Sequence, residues 1–338
     1  MHRLVLFLAG TTTLFAWDRQ KAFDYLEARQ QKWAEWKPAQ KAGGACVSCH
    51  TGLSYLMAQR LAGPDRSPAS RDLVQGVKTR IAANPPQVML ASEGAEAILS
   101  LLTLSFERHD RQSPLPAADE AALKRLWEKQ IPDGDAKGSW SWFMHDLHPV
   151  ESEHSHFFAA TLADLALSKY PANTTSNAAA MQSYLQREFA AQPLHNKLAW
   201  AAFSGNKDGR KNAAGKTDKA AKAAVLANLW SAQASDGGFT SAALGPWAKH
   251  QNAPPDEGSN AYATAWAAFA ARQAGADCQR SGLRRALEWL KRNQDPATGA
   301  WNAVSMNKVY PAGSMQEKFM TDAATGYAAA ALVACRVD

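Results

Sequence analysis

Apolar residues follow a helical pattern along almost the whole chain, and the helical segments come in pairs. In each pair the first segment carries charge, as at Glu128 and Lys129 or at Arg284 and Arg285. The second is nearly free of charge and rich in alanine: "HSHFFAATLADLALSKY", "SNAYATAWAAFAARQAG" and "DAATGYAAAALVAC" are the clearest. Two further pairs run from "SRDLVQGVKTRIAA" to "ASEGAEAILSLLTLSF" and from "NAAAMQSYLQREFAA" to "LHNKLAWAAFSG". Another opens the chain, from "FDYLEARQQKWAEW" to "GLSYLMAQRLAG", for about six helical hairpins in all. A charged helix needs one wet face, whereas an alanine-rich helix without charge is stable only when covered on most sides. The pattern therefore predicts an all-α fold, a single α/α toroid with charged helices outside and small-residue helices inside.

Three of the connections resemble one another: "LWEKQIPDGDAKGSWSWF", "LWSAQASDGGFTSAALGPW" and "WLKRNQDPATGAWNAVS". Each ends a helix on a glutamine (Gln130, Gln233, Gln294), passes an Asp and a Gly, and reaches an aromatic residue (Trp140, Phe239, Trp301). Glycine permits the turn that stops the helix, and the aromatic is expected to fold back between neighbouring helices. These loops, over residues 65–338, resemble those of squalene–hopene cyclases and, more distantly, of protein prenyltransferase β-subunits. The resemblance implies the toroid and a cavity suited to a small hydrophobic substrate. The chain departs from the cyclases in having length for one toroid rather than two and no D-x-D-D acid, and from the prenyltransferases in having no Asp/Cys/His zinc set. Cyclisation and prenyl transfer are therefore not expected.

The N-terminus, "MHRLVLFLAGTTTLFAWDRQ", has a positive start and a short apolar run, the outline of a secretory signal peptide over residues 1–16. Residues 17–64 then form a hairpin of their own within the same domain as residues 65–338. The expected location is the periplasm or another exported compartment. No later stretch approaches 18 apolar residues, so no membrane span is expected in the mature chain. Hydrophobic residues make up 46% of the 338 and charged ones 20%, and the net charge is +6. No basic stripe interleaved with aromatics speaks for nucleic acid. The basic stretch from Gly205 is either a solvated face or a dock for an acidic redox partner.

The turn of the first hairpin carries Cys46-Val47-Ser48-Cys49-His50, the C-x-x-C-H pattern of c-type cytochromes. Two thiols at this spacing reach the two vinyl groups of one porphyrin edge, and the next residue, His50, ligates the iron. One covalent haem c is thus expected. Turns between outer and inner helices share one mouth of a toroid, so the starts of the inner helices would face it: Glu93, His154, His156, His195, Asn260, Tyr262 and Asp322. For the second axial position His156, His154 and Met144 are the candidates, from the histidine-rich "MHDLHPVESEHSHF". Asp322, Glu93 and Glu153 are candidate proton donors, although carboxylates at helix starts also serve as caps. Cys278 and Cys335 fall together at the opposite end and are expected to form a disulfide. The expected function is redox: electron transfer through the haem, with a haem-dependent oxidoreductase acting in the cavity as the alternative.

Overall fold

The computed structural model describes residues 16–63, 67–84, 90–171, 175–204, 218–247, 250–255 and 257–337. The signal peptide expected over residues 1–16 lies outside them up to residue 15, and so does the basic stretch over residues 205–217. The chain is mostly helical. Among the described residues it forms α1 (Arg19–Glu35), α2 (Thr51–Ala62), α3 (Pro68–Ala83), α4 (Leu90–Ser105), α5 (Ala117–Glu128), α6 (Ser155–Leu167) and α7 (Ser176–Glu188). There follow α8 (Leu194–Phe203), α9 (Asp218–Ser231), the single turn α10 (Ser241–Leu244), α11 (Ala261–Gln273), α12 (Ser281–Arg292) and α13 (Phe319–Ala334). Two short antiparallel strands, β1 (Gln40–Lys41) and β2 (Gly44–Ala45), lie between α1 and α2.

The two kinds of helix differ in burial as their sequences require. α12 buries Leu283, Ala286, Leu287 and Leu290, one helical face, and exposes Arg284, Arg285 and Glu288. In α11 every residue from Ala261 to Ala271 is buried, and in α13 every residue from Met320 to Leu332. Such helices have no polar face to present and must be enclosed. The alanine-rich helices pack in series: α4 on α6, α6 on α8, α8 on α11, α11 on α13, and α13 on α2. The charged helices attach to members of that series, α5 to α4, α7 to α6, α9 to α8, α12 to α11 and α13, and α1 to α2 and α13. The last helix therefore packs on the first pair. The approach of α13 to α2 is so close that a Cβ at Gly326 would stand 2.5 Å from the Ser54 Cβ. One apolar core runs from Trp17 to Leu332.

The three related loops do the same work in three places. Trp140, Phe239 and Trp301 are fully buried, and the two tryptophans donate their indole N–H to Leu126 O (2.7 Å) and Leu290 O (2.8 Å). The Phe239 and Trp301 amides donate to threonine hydroxyls on the following helix, Thr264 (2.9 Å) and Thr325 (3.0 Å). Each loop glutamine uses its amide NH2 twice. Gln130 donates to Gly138 O and to Asn177 O, Gln233 to Gly237 O and to Gly282 O, and Gln294 to Gly299 O and to Asp18 O. The second acceptor is always at the start of the next charged helix: α7, α12 and, for the last loop, α1. The two ends of the described chain meet as well, Trp17 Nε1 donating to Val337 O at 2.8 Å. Cys278 and Cys335 form a disulfide, with Cα atoms 5.6 Å apart, joining the approach to α12 to the end of α13.

Candidate functional site around Cys46, Cys49 and His50

The C-x-x-C-H segment is fixed by its own middle residue. Ser48 Oγ accepts from the His50 amide (3.2 Å) and the Thr51 amide (3.0 Å), and Ser48 O accepts from Leu53 N (2.9 Å), so Ser48 holds the residues that lead into α2. Upstream, Cys46 N donates to Ala39 O (3.1 Å) and Trp33 Nε1 donates to Cys46 O (2.6 Å). Val47, Ser48 and Thr51 are buried, whereas Cys46, Cys49 and His50 are each partly exposed. The three chemically active side chains thus lie at the edge of the packed interior, and the residues between them anchor the segment in it. Both thiols are free.

Burial raises the pKa of Cys46, and burial followed by the nearby Glu151 charge raises that of Cys49 well above the usual thiol range. Burial lowers His50 to about 4, so its imidazole is neutral and able to ligate a metal. Its ring stacks on Phe319 with centroids 5.0 Å apart. Cys46 also borders a cleft of about 260 Å³ with Gln30, Ala34, Ala69 and Leu73.

Asp322, an expected proton donor, is committed to structure. Its fully buried carboxylate accepts from Arg29 Nε (2.7 Å), Tyr25 OH (2.8 Å) and Thr51 Oγ1 (2.6 Å), joining α13 to α1 and to the residue after His50. Arg29 is buried too and also donates to Met315 O. Glu93 is paired with Lys129 at 2.8 Å, and Glu153 is exposed, 3.6 Å from His154 Nε2. Glu151, two residues earlier, has the properties sought in them. Burial raises its pKa to about 7, partly offset by Lys308, and its charge acts on both Cys49 and Tyr310. Its chain position is set by a bridge with Leu147. The one signal for it in the sequence was its place within the histidine-rich stretch.

Among the second-ligand candidates, Met144 is exposed, His154 is half-buried at the residue before α6, and His156 is half-buried in the first turn, where burial lowers its pKa. His195, Asn260 and Tyr262 start helices as expected. Asn260 caps α11 by accepting from Ala263 N (2.9 Å). His195 is fully buried, stacked on Trp266 at 4.8 Å, and held near pKa 4 by burial. Asn196 Nδ2 donates to His154 O and Gln192 Oε1, which leaves Asn196 Oδ1 to accept from His195 Nδ1 at 3.0 Å. His195 Nε2 then accepts from Tyr262 OH at 2.9 Å. Tyr262 in turn neighbours Tyr327, on which the Cys49 charge acts. A buried aromatic series, Tyr327, Tyr262, Trp266 and His195, thus leads inward from the motif.

No protein-family model matches this chain, and no curated protein matches it. Among the described residues no helix is long and apolar enough to cross a membrane.

Proposed function

We propose that this protein is an exported c-type haem protein whose role is electron transfer. The observation that carries the reading is the joint presentation of Cys46, Cys49 and His50, partly exposed on a segment whose intervening residues are buried. The donor set fits the group: two unbonded thiols at the right spacing and a neutral imidazole directly behind them. Cys46 and Cys49 would hold the porphyrin through thioether bonds and His50 would ligate the iron. A haem so held supplies reversible one-electron chemistry. Ser48 and the Thr51–Asp322 bond keep His50 at a fixed point of α2, and Phe319 limits rotation of its ring. His156, neutral and half-buried, leads His154 and Met144 for the second axial position.

The scaffold is read as a closed α/α toroid. Two observations support it: α13 packs on α2, and Gln294 joins the last loop to Asp18 before α1 just as Gln130 and Gln233 join theirs to α7 and α12. The second functional reading, a haem-dependent oxidoreductase, is favoured by Glu151, which near neutral pH can hold or release a proton beside Cys49.

Absorption and resonance Raman spectra of protein from a haem-maturing periplasm test the proposal. A Soret band that survives acidic acetone extraction, and that Cys46→Ser with Cys49→Ser abolishes, supports covalent haem. Its absence overturns it. A six-coordinate reduced spectrum unmoved by carbon monoxide favours electron transfer, and immediate carbon monoxide binding favours the oxidoreductase.

A further inference from the structure

Three side chains outside the C-x-x-C-H segment, from two separate loops, converge. Asp146 and His148 precede α6, and His250 lies between α10 and α11. One ligating atom from each lies within 4.8 Å of the other two, and His148 Nε2 is 3.7 Å from Asp146 Oδ1. We infer that Asp146, His148 and His250 form a zinc site.

The site is built rather than incidental. His148 is only 5% exposed, and its backbone is clamped on both sides by one side chain. Asn307 Oδ1 accepts from the His148 amide (2.8 Å) and Asn307 Nδ2 donates to the His148 carbonyl (2.9 Å). The Trp247 ring lies 5.3 Å from the His148 ring and closes one side. A buried imidazole fixed in this way is a preorganised ligand. His250 supplies the independent sign: its Nε2 is buried and makes no hydrogen bond. Leaving such a group unsatisfied is costly, and a metal bond would satisfy it.

Two imidazoles and one carboxylate form a set suited to zinc, whereas calcium and magnesium take oxygen ligands. Tetrahedral zinc with bonds of about 2.0–2.2 Å places its ligand atoms about 3.3–3.6 Å apart, so binding draws the three slightly closer. The exposed member is Asp146, whose side chain is 68% exposed and has room to move toward a metal. Its exposure leaves the fourth position to water, an open rather than a closed zinc site.

The test uses the full, haem-loaded chain without a polyhistidine tag, dialysed against zinc and analysed for metal by mass spectrometry. One zinc per chain is expected, undisturbed by excess calcium. Asp146→Asn retains a residue that tolerates the positive φ of 54° at this position. Asp146→Asn and His250→Gln are each expected to weaken zinc binding at least tenfold and to melt like the wild type in the absence of zinc. Zinc should raise the melting temperature of the wild type and leave both variants unchanged. His148→Ala is a poorer probe because its buried ring also supports the fold. Failure of the wild type to retain zinc overturns the inference. So does wild-type affinity in both variants, or zinc that leaves with Cys46→Ser instead.

Discussion

The molecule carries two pairs of cysteines, and they are used in opposite ways. Cys278 and Cys335 are 57 residues apart, bonded, and fasten the end of α13 to the approach to α12. Cys46 and Cys49 share one short turn, remain thiols and turn partly to solvent. The opposite ends of α13 are also fastened differently: covalently at its C-terminus, and at its N-terminus by the Asp322 bonds to Arg29, Tyr25 and Thr51. Spacing and surroundings, not the residue type, decide whether a cysteine is bonded as a staple or stays a free thiol.

The largest expected effect lies at the uncovalent fastening. Asp322→Ala leaves the buried Arg29 guanidinium without its carboxylate, and denaturant unfolding should register a loss of about 3–5 kcal/mol. Replacing Cys278 and Cys335 by serine should cost about 2–4 kcal/mol, since the bond closes a long loop of the unfolded chain; an unchanged midpoint in urea would remove the staple from the account. Gly326→Ala drives a methyl group into Ser54 of α2 and should cost about 1–3 kcal/mol by the same measurement.

Smaller effects depend on pH. Glu151 has a folded pKa of about 7 against an ordinary 4.5, so the folded state holds its proton more tightly. Its ionisation destabilises the fold progressively as pH rises from about 4.5 to about 7. His195, depressed to about 4 from 6.5, acts in the opposite sense: its contribution is complete above 6.5 and is lost as pH falls toward 4. The two slopes oppose each other between these limits, each reaching at most about 1.4 kcal/mol per pH unit. Glu151→Gln should therefore make stability climb more steeply with pH in that window, read from unfolding midpoints at pH 5, 6 and 7. The smallest effect belongs to the thiols. In haem-free protein, Cys46→Ser with Cys49→Ser should leave stability within about 0.5 kcal/mol, since both side chains are partly exposed.

The helical pairs were legible because burial writes itself into composition: α11 and α13 carry one charged residue each, Arg272 at the end of α11 and the buried Asp322 in α13, and α12 keeps its arginines on one face. The buried aromatic of each related loop was legible for the same reason. The glutamine bridges were not, because their second acceptors lie on helices 47, 49 and 276 residues away. Asp322 reads as a free acid at a helix start until Arg29 and Tyr25 of α1 are brought against it. Glu151 and Glu153 look alike in the sequence, and the turn around Leu147 decides which is buried. His148 and His250 lie in loops whose meeting depends on the whole intervening chain, so no local spacing announces them.

The packing of α13 on α2 bears on the order of assembly. α2 leaves the ribosome long before a principal neighbour of it, α13, and the two ends of the described chain are tied through Trp17 and Val337. Closing contacts of such long sequence separation form late and slowly. Until then, Ser54 and the start of α2 beside His50 stay uncovered, and a chain truncated before α13 would leave that face bare permanently.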